Sequence, residues 1–210
     1  MWASIDTDNN VTKVYTRPTA ITYGDVNYPQ NVMSSWTNDE LATIKVYPVV
    51  EDTTNYKDPS YYINTNETFT YYDSVSVYET TYTNTVVGAY GTATPKSLDD
   101  TTTTTTDPDT GETTTTVTPG LKSNDITIVD QQAYGLLQPN DWYVVRNQEA
   151  GTAILADWTT YRTDVRSTAA DMVSKISAVT TVDELAALYA YNDAEPPVRP
   201  LGEWPIPPSS

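Results

Sequence analysis

Residues 99–119 read DDTTTTTTDPDTGETTTTVTP, two runs of a β-branched residue around Asp107-Pro108-Asp109-Thr110-Gly111-Glu112. Threonine restricts its χ1 and favours strands, and Pro-Asp-x-Gly is turn chemistry, so this low-complexity tract is expected to form a projecting two-stranded β-ribbon. The alternative is a disordered polar linker. An isolated Thr hairpin buries little, so the ribbon is expected to be ordered by packing against another chain. Thr103, Thr105, Thr114 and Thr116 are its candidate interface residues. The tract also divides the chain, because apolar residues recur with a period of two before it and of about 3.6 after it.

Upstream, residues 1–98 read as an α+β region. Trp2 to Ile5 and Lys13 to Arg17 are strand candidates joined by the turn Asp6-Thr7-Asp8-Asn9-Asn10, and Thr37-Asn38-Asp39-Glu40 is a capping box opening a short helix. Lys45 to Val50 is a strand in which Pro48 argues for a sheet edge. Tyr61 to Ile63 and Thr68 to Tyr72, around the turn Asn64 to Glu67, predict a hairpin. Val75 to Val87 predicts one long strand with both faces covered, carrying Tyr78 and Tyr82 on one face as candidate interface residues.

Downstream, residues 120–192 predict a bundle of three to four helices. Ile126, Val129, Ala133, Leu136 and Leu137 share a helical face that ends at Pro139, and a helix opening at Asp141 closes at Gly151. Trp158, Tyr161, Val165, Ala169, Met172, Ile176 and Val179 form the clearest stripe in the chain, with Asp157 as its candidate N-cap and Trp158, Met172 and Ile176 as core. Thr181-Val182-Asp183-Glu184 is a second capping box. Residues 193–210 hold six of the 14 prolines and predict an extended tail with Trp204 as an anchor and candidate interface residue. The fold class expected is therefore α+β, an antiparallel β-rich N-terminal region with a Thr hairpin followed by a helical bundle.

The chain has 210 residues with 11 Lys+Arg against 28 Asp+Glu, a formal charge of −17, and contains neither Cys nor His. Thiol nucleophiles, disulfides and imidazole triads are excluded. A phosphate-tracking basic groove is opposed by the charge, so no nucleic acid is expected as partner. No 18-residue apolar run exists and the first residues lack the pattern of a signal peptide, so neither membrane insertion nor secretion is expected. Thr occurs 38 times and Tyr supplies 17 of the aromatic residues, which favours sheets with polar faces and contacts to neighbours.

Asp6-x-Asp8-x-Asn10 resembles the opening of a calcium loop, but Val11 and Arg17 stand where such a loop needs Gly and Glu, so a turn is expected. Asp107, Asp109 and Glu112 are likewise explained by a hairpin turn, and no metal or cofactor is assigned. Carboxylate pairs for glycoside hydrolysis are the one enzyme class the composition permits, without a motif to single out a pair. No catalytic residue is assigned. Arg146, Arg162 and Arg166 are expected to form structural salt bridges.

The stretch Pro139-Asn140-Asp141-Trp142-Tyr143-Val144-Val145-Arg146, followed by Glu149 to Ile154 and by Trp158-Thr159-Thr160-Tyr161-Arg162 with Arg166, resembles the C-terminal helical module of tailed-phage tail proteins. Gly24-Asp25-Val26-x-Tyr28-Pro29 leading to Trp36-Thr37-x-x-Glu40-Leu41 is similar to the front half of the same group of tail-fibre-assembly and fibre-associated proteins of marine-type phages. The resemblance implies a non-enzymatic virion component of the tail, fibre or baseplate region, assembled in the host cytoplasm. Its expected partners are other virion proteins and copies of itself in a symmetric assembly. A transient tail-fibre assembly chaperone, or an adhesin binding host surface glycan through Tyr-rich strands, are the alternatives.

Overall fold

A computed structural model describes residues 1–208 as an α+β protein. Two compact units divide at Thr94/Pro95, so the Thr ribbon, the helices and the C-terminal tail all belong to the second.

The first unit is built on a five-stranded sheet in the order β2 (Val11–Tyr15), β1 (Trp2–Ile5), β5 (Val46–Asp52), β8 (Thr80–Tyr90), β7 (Glu67–Val77). It is mixed rather than antiparallel throughout, because β5 and β8 run parallel. Alternation along the strands sorts the side chains. Ala3, Ile5, Tyr47 and Val86 form one core with Phe69 and Tyr71, while Tyr15 and Val46 face the other side. That second face is covered by Ile21 of the hairpin β3 (Ile21–Tyr23)/β4 (Val26–Tyr28) and by α1 (Val32–Ser35) and α2 (Asn38–Ala42), through Val32, Met33 and Leu41. The Thr37 capping box is formed, with the Glu40 carboxylate accepting from Thr37 N–H at 2.7 Å and Thr37 Oγ1 accepting from Glu40 N–H at 3.3 Å.

Pro48 lies in a central strand, not at an edge. Ile5 N–H donates to Lys45 O and Val49 N–H to Met1 O, each at 3.1 Å, so alternation turns the Pro48 nitrogen away from β1 and toward β8. The registered pairing with β8 begins only at Val49, and the missing N–H forfeits no ladder bond. Tyr62–Ile63 (β6) pairs with the short strand β9 (Thr94–Pro95) rather than with Thr68 to Tyr72.

The single strand expected over Val75 to Val87 is two strands. Tyr78 (φ 49°) and Glu79 (φ 65°) make a two-residue turn, and Val77 pairs with Thr80. Left-handed backbone at both positions usually selects Asn-Gly, so Tyr-Glu conceals the turn from a sequence reading. Built straight, the 11-residue strand β8 would carry this turn roughly 35 Å from Tyr90, at the usual rise per residue. Instead Thr53 N–H donates to the Tyr78 hydroxyl at 2.6 Å, and Thr53 directly follows the last β5 pair, Asp52 with Ala89. The hairpin therefore folds back on itself. The bend lies where the ladder omits the Asp73/Asn84 pair between Tyr72/Thr85 and Ser74/Thr83, at Asn84 (φ 48°). The Tyr71 hydroxyl braces it, its one proton shared between Asn84 Oδ1 at 2.9 Å and Asp73 Oδ1 at 3.1 Å, and desolvation together with the Asp73 contact pushes this phenol up to about 12.

In the second unit the ribbon strands β10 (Thr101–Thr106) and β11 (Thr113–Thr118) lead into α3 (Leu121–Leu137), a 3-10 turn at Gln138–Asn140, α4 (Asp141–Ala150), α5 (Ala156–Ala178) and α6 (Val182–Tyr189). α3 packs along α5. Gly151 closes α4 in left-handed conformation (φ 65°), and the Thr181/Glu184 capping box opens α6. Tyr161, Val165, Met172, Ile176 and Val179 of the α5 stripe are buried. Trp158 is only half-buried, because it lies in the first turn, where it meets the Tyr143 and Tyr161 rings and leaves its outer side open. Asp157 is inside the helix, and no side chain caps α5. The Pro-rich tail returns over the helices, Leu201 being buried and its N–H bonded to Leu188 O at 2.9 Å.

Candidate interaction surface

The Thr tract pairs in unbroken antiparallel register from Thr101/Thr118 to Thr106/Thr113, and all twelve strand residues are exposed. Asp107 N–H donates to Glu112 O at 2.8 Å, which makes the pair closing the loop a hydrogen-bonded one. Alternation then assigns every position. Thr105/Thr114, Thr103/Thr116 and Thr101/Thr118 spend their backbone groups inside the ribbon, whereas Thr102, Thr104 and Thr106 of β10 and Thr113, Thr115 and Val117 of β11 turn theirs outward. The Thr104 and Thr115 hydroxyls lie 3.5 Å apart, as the closer side-chain spacing of a non-hydrogen-bonded pair allows.

The structure therefore brings Thr103, Thr105, Thr114 and Thr116 together on one face of the ribbon, but their backbones are not the open edges. The open positions are the alternate residues, which a uniform Thr run cannot reveal because every position carries the same side chain.

The ribbon is fixed at its base. Leu121 and Lys122 N–H, orphan donors of the first turn of α3, bond Ser97 O and Leu98 O at 3.0 Å each, and Gly120 N–H donates to Asp100 Oδ1 at 2.8 Å. Lys122 Nζ lies 3.1 Å from Asp99. The Ser123 hydroxyl and the Gly120 amide hold the Asp100 carboxyl below its usual range. At the tip, Asp107 Oδ1 accepts from Asp109 N–H at 2.8 Å and Thr110 N–H at 3.1 Å, which lowers its pKa, and Gly111 (φ 71°) completes the turn.

At Gly120 the two segments of the stem approach closely. A Cβ there would lie 2.4 Å from Asp99 C and 2.5 Å from Asp99 O, backbone atoms that cannot swing aside. Gly120→Ala is expected to destabilise the stem by about 1–3 kcal/mol, the range for overpacking. Hydrogen exchange of the Leu121 and Lys122 amides should accelerate in this variant while the amides of α6 keep their protection; unchanged exchange at the stem would refute the close packing.

Tyr78 sits in the folded-back turn, largely exposed, with its hydroxyl engaged by Thr53, and Tyr82 is half-buried in the same hairpin. Trp204 is half-buried in the second unit, its indole N–H donating to Gln132 Oε1 of α3 at 2.9 Å. The Asp6 carboxylate accepts Asp8 N–H at 2.9 Å and Asn10 N–H at 2.8 Å, so it serves the turn. Among the described residues no group of three or more His, Cys, Asp and Glu side chains is placed to hold a metal ion, and no helix is long and apolar enough to cross a membrane.

Two further clusters escape a sequence reading. Glu67 packs over Gly88, which pairs with Glu51 on its other side; burial, then the Glu51 charge, raises the Glu67 pKa, and its Oε1 has no hydrogen-bond partner. On α4, Trp142 and Tyr143 stack with ring centroids 3.9 Å apart, and the Arg146 guanidinium lies 4.7 Å from the Trp142 centroid. Arg162 does form an ion pair, with Asp141 at 2.8 Å. Neither cluster combines a nucleophile, a base and an orienting group. No family model matches the chain, and no curated protein or solved structure matches it either.

Proposed function

We propose that this chain is a non-enzymatic structural subunit, of the tailed-phage virion kind, that joins neighbouring subunits through the Thr ribbon. One observation carries the reading: twelve strand positions without a charge, in a chain of −17, are all exposed on an arm bonded at its base to α3. Unpaired strand edges are costly to bury alone and ready to extend another sheet. The reading takes α3, α5 and α6 as a helical bundle that serves as the platform of the arm, supported by the buried Val165, Met172, Ile176 and Leu185. The absence of Cys and His from the sequence narrows catalytic options and weighs toward assembly.

The test replaces Thr101 to Thr118 by a Gly-Ser bridge. The variant chain should keep its far-UV circular dichroism and melting behaviour outside the ribbon contribution, yet fail to enter particles. The outward amides of the ribbon should exchange more slowly in the assembly than in the monomeric chain; equally fast exchange in both would sink the arm reading. Mass spectrometry of purified particles separates a virion component from an assembly chaperone, which would leave before maturation. Binding on a glycan array that survives loss of the ribbon would instead favour the adhesin.

A further inference from the structure

We infer that the outer edge of β11 is a strand-addition edge and that its partner is β11 of a second copy of this chain, related by a two-fold axis. The pairing rests on the arm reading above. It gives a four-stranded antiparallel sheet in the order β10, β11, second-copy β11, second-copy β10.

The two edges of the ribbon differ in what flanks them. In a two-fold antiparallel pair, outward-bonding residues must face outward-bonding residues, which leaves each edge two central registers. On β10 these are centred on Thr103 or Thr104. The first sets Asp99 opposite Asp107 of the second copy and the other sets it opposite Asp109, and the symmetry repeats the clash at both ends. Like charges directly opposite are destabilising. Lys122 pairs with Asp99 and leaves Asp100 as a second carboxylate beside it.

On β11 the registers are centred on Thr115 or Thr116. Glu112 then faces Thr118 or Gly120, and no acidic residue faces another. Val117, the only apolar residue in either strand and 56% exposed, lies at an outward-bonding position of this edge and is paired in both registers, with Thr113 or Thr115. Pro119 has no N–H at the next outward position and so ends the edge. The antiparallel arrangement also sends the two acidic tips, each with Asp107, Asp109 and Glu112, to opposite ends of the sheet.

The chain has no cysteine, so single-cysteine variants report on the edge directly. Both β11 registers bring a symmetry-related pair of Cα atoms to about 4.5–5.5 Å, within disulfide reach. Under mild oxidation Thr115→Cys or Thr116→Cys should give a disulfide-linked dimer, and Thr103→Cys and Thr104→Cys should not. Thr115→Pro removes one outward N–H and should convert the full-length dimer to monomer in sedimentation, while Thr104→Pro should leave it dimeric. Cross-linking through the β10 cysteines, or a dimer lost with Thr104→Pro and kept with Thr115→Pro, would overturn the assignment of the edge. A wild-type chain that is monomeric at every concentration tested, with ribbon amides that gain protection only in particles, would overturn the second-copy partner and leave the arm reading standing. Ribbon amides unprotected in both states would overturn both.

Discussion

Arg162→Ala is expected to destabilise the second unit by about 2–5 kcal/mol, because it leaves two neutral acceptors unsatisfied at about 1–3 kcal/mol each. Only 7% of Arg162 is exposed, although it sits on a helix that otherwise buries apolar residues. Its guanidinium donates to Leu137 O at 3.1 Å, to Asn140 Oδ1, and to Asp141 Oδ1 at 2.8 Å. These acceptors lie at the end of α3 and the start of α4, so one side chain ties both helices to α5. Alanine would leave the Leu137 carbonyl and the buried Asn140 amide without that donor, and desolvated acceptors without partners are costly. Asp141→Asn tests the distribution of the effect. Its side chain is 52% exposed, so the ion pair itself should contribute about 0–1 kcal/mol and this variant should be far milder. Urea-dependent hydrogen exchange of the α3 and α5 amides reads the second unit. Equal losses for the two variants would show that the charge pair, not the neutral acceptors, accounts for the burial of Arg162.

Met172→Ala is expected to cost about 2–5 kcal/mol, as for other large buried apolar side chains truncated to alanine. Met172 is 1% exposed. A Cβ on Gly202 of the returning tail would lie only 4.0 Å from Met172 Cε, so the tail closes over this side chain. Truncation therefore opens a cavity between α5 and the tail and weakens the seat on which Lys175 Nζ holds Pro200 O at 2.8 Å and Leu201 O at 3.1 Å. Hydrogen exchange at Leu201, whose amide bonds Leu188 O, should accelerate together with the loss of global stability. Arg162 and Met172 are about 15 Å apart along the helix and share no partner, so the double variant should show the sum of the two losses. A Met172 effect within experimental error would mean that the stripe does not face a core.

Much of the second unit is legible in the amino-acid sequence, and so is part of the first. The β1/β2 turn, both capping boxes, the Gly151 stop and the Thr hairpin each depend on side chains within about six residues of one another, so the signal and its outcome share one window. The α5 stripe is legible for a similar reason, since a helix buries one face wherever the packing partner lies. Trp158 falls short only because a first-turn residue has no preceding turn of its own helix beside it. Arg162 looks like an ordinary salt-bridging cation in the sequence because its acceptors belong to residues 21 to 25 positions earlier.

The candidate surface divides in the same way. That the Thr tract forms a ribbon follows from β-branching and the Asp-Pro-Asp-Thr-Gly turn; which backbone groups it leaves open does not, because identical side chains carry no phase. The single bond from Asp107 N–H to Glu112 O sets that phase, and with it the difference between the β10 and β11 edges. In the first unit the Tyr78-Glu79 turn, the parallel β5/β8 pairing and the exchange of hairpin partner at Tyr62–Ile63 are all decided by contacts between distant residues. Tyr78 meets Thr53 across 25 positions and Asn55 reaches Tyr90 O across 35. Local sequence determined where elements start, stop and turn, because those choices are settled by hydrogen bonds a few residues long. Only the tertiary structure decided which strands pair and where the long hairpin folds back, because strand partners are chosen by burial and by backbone donors far away in the chain, and a Thr- and Tyr-rich strand suits more than one of them.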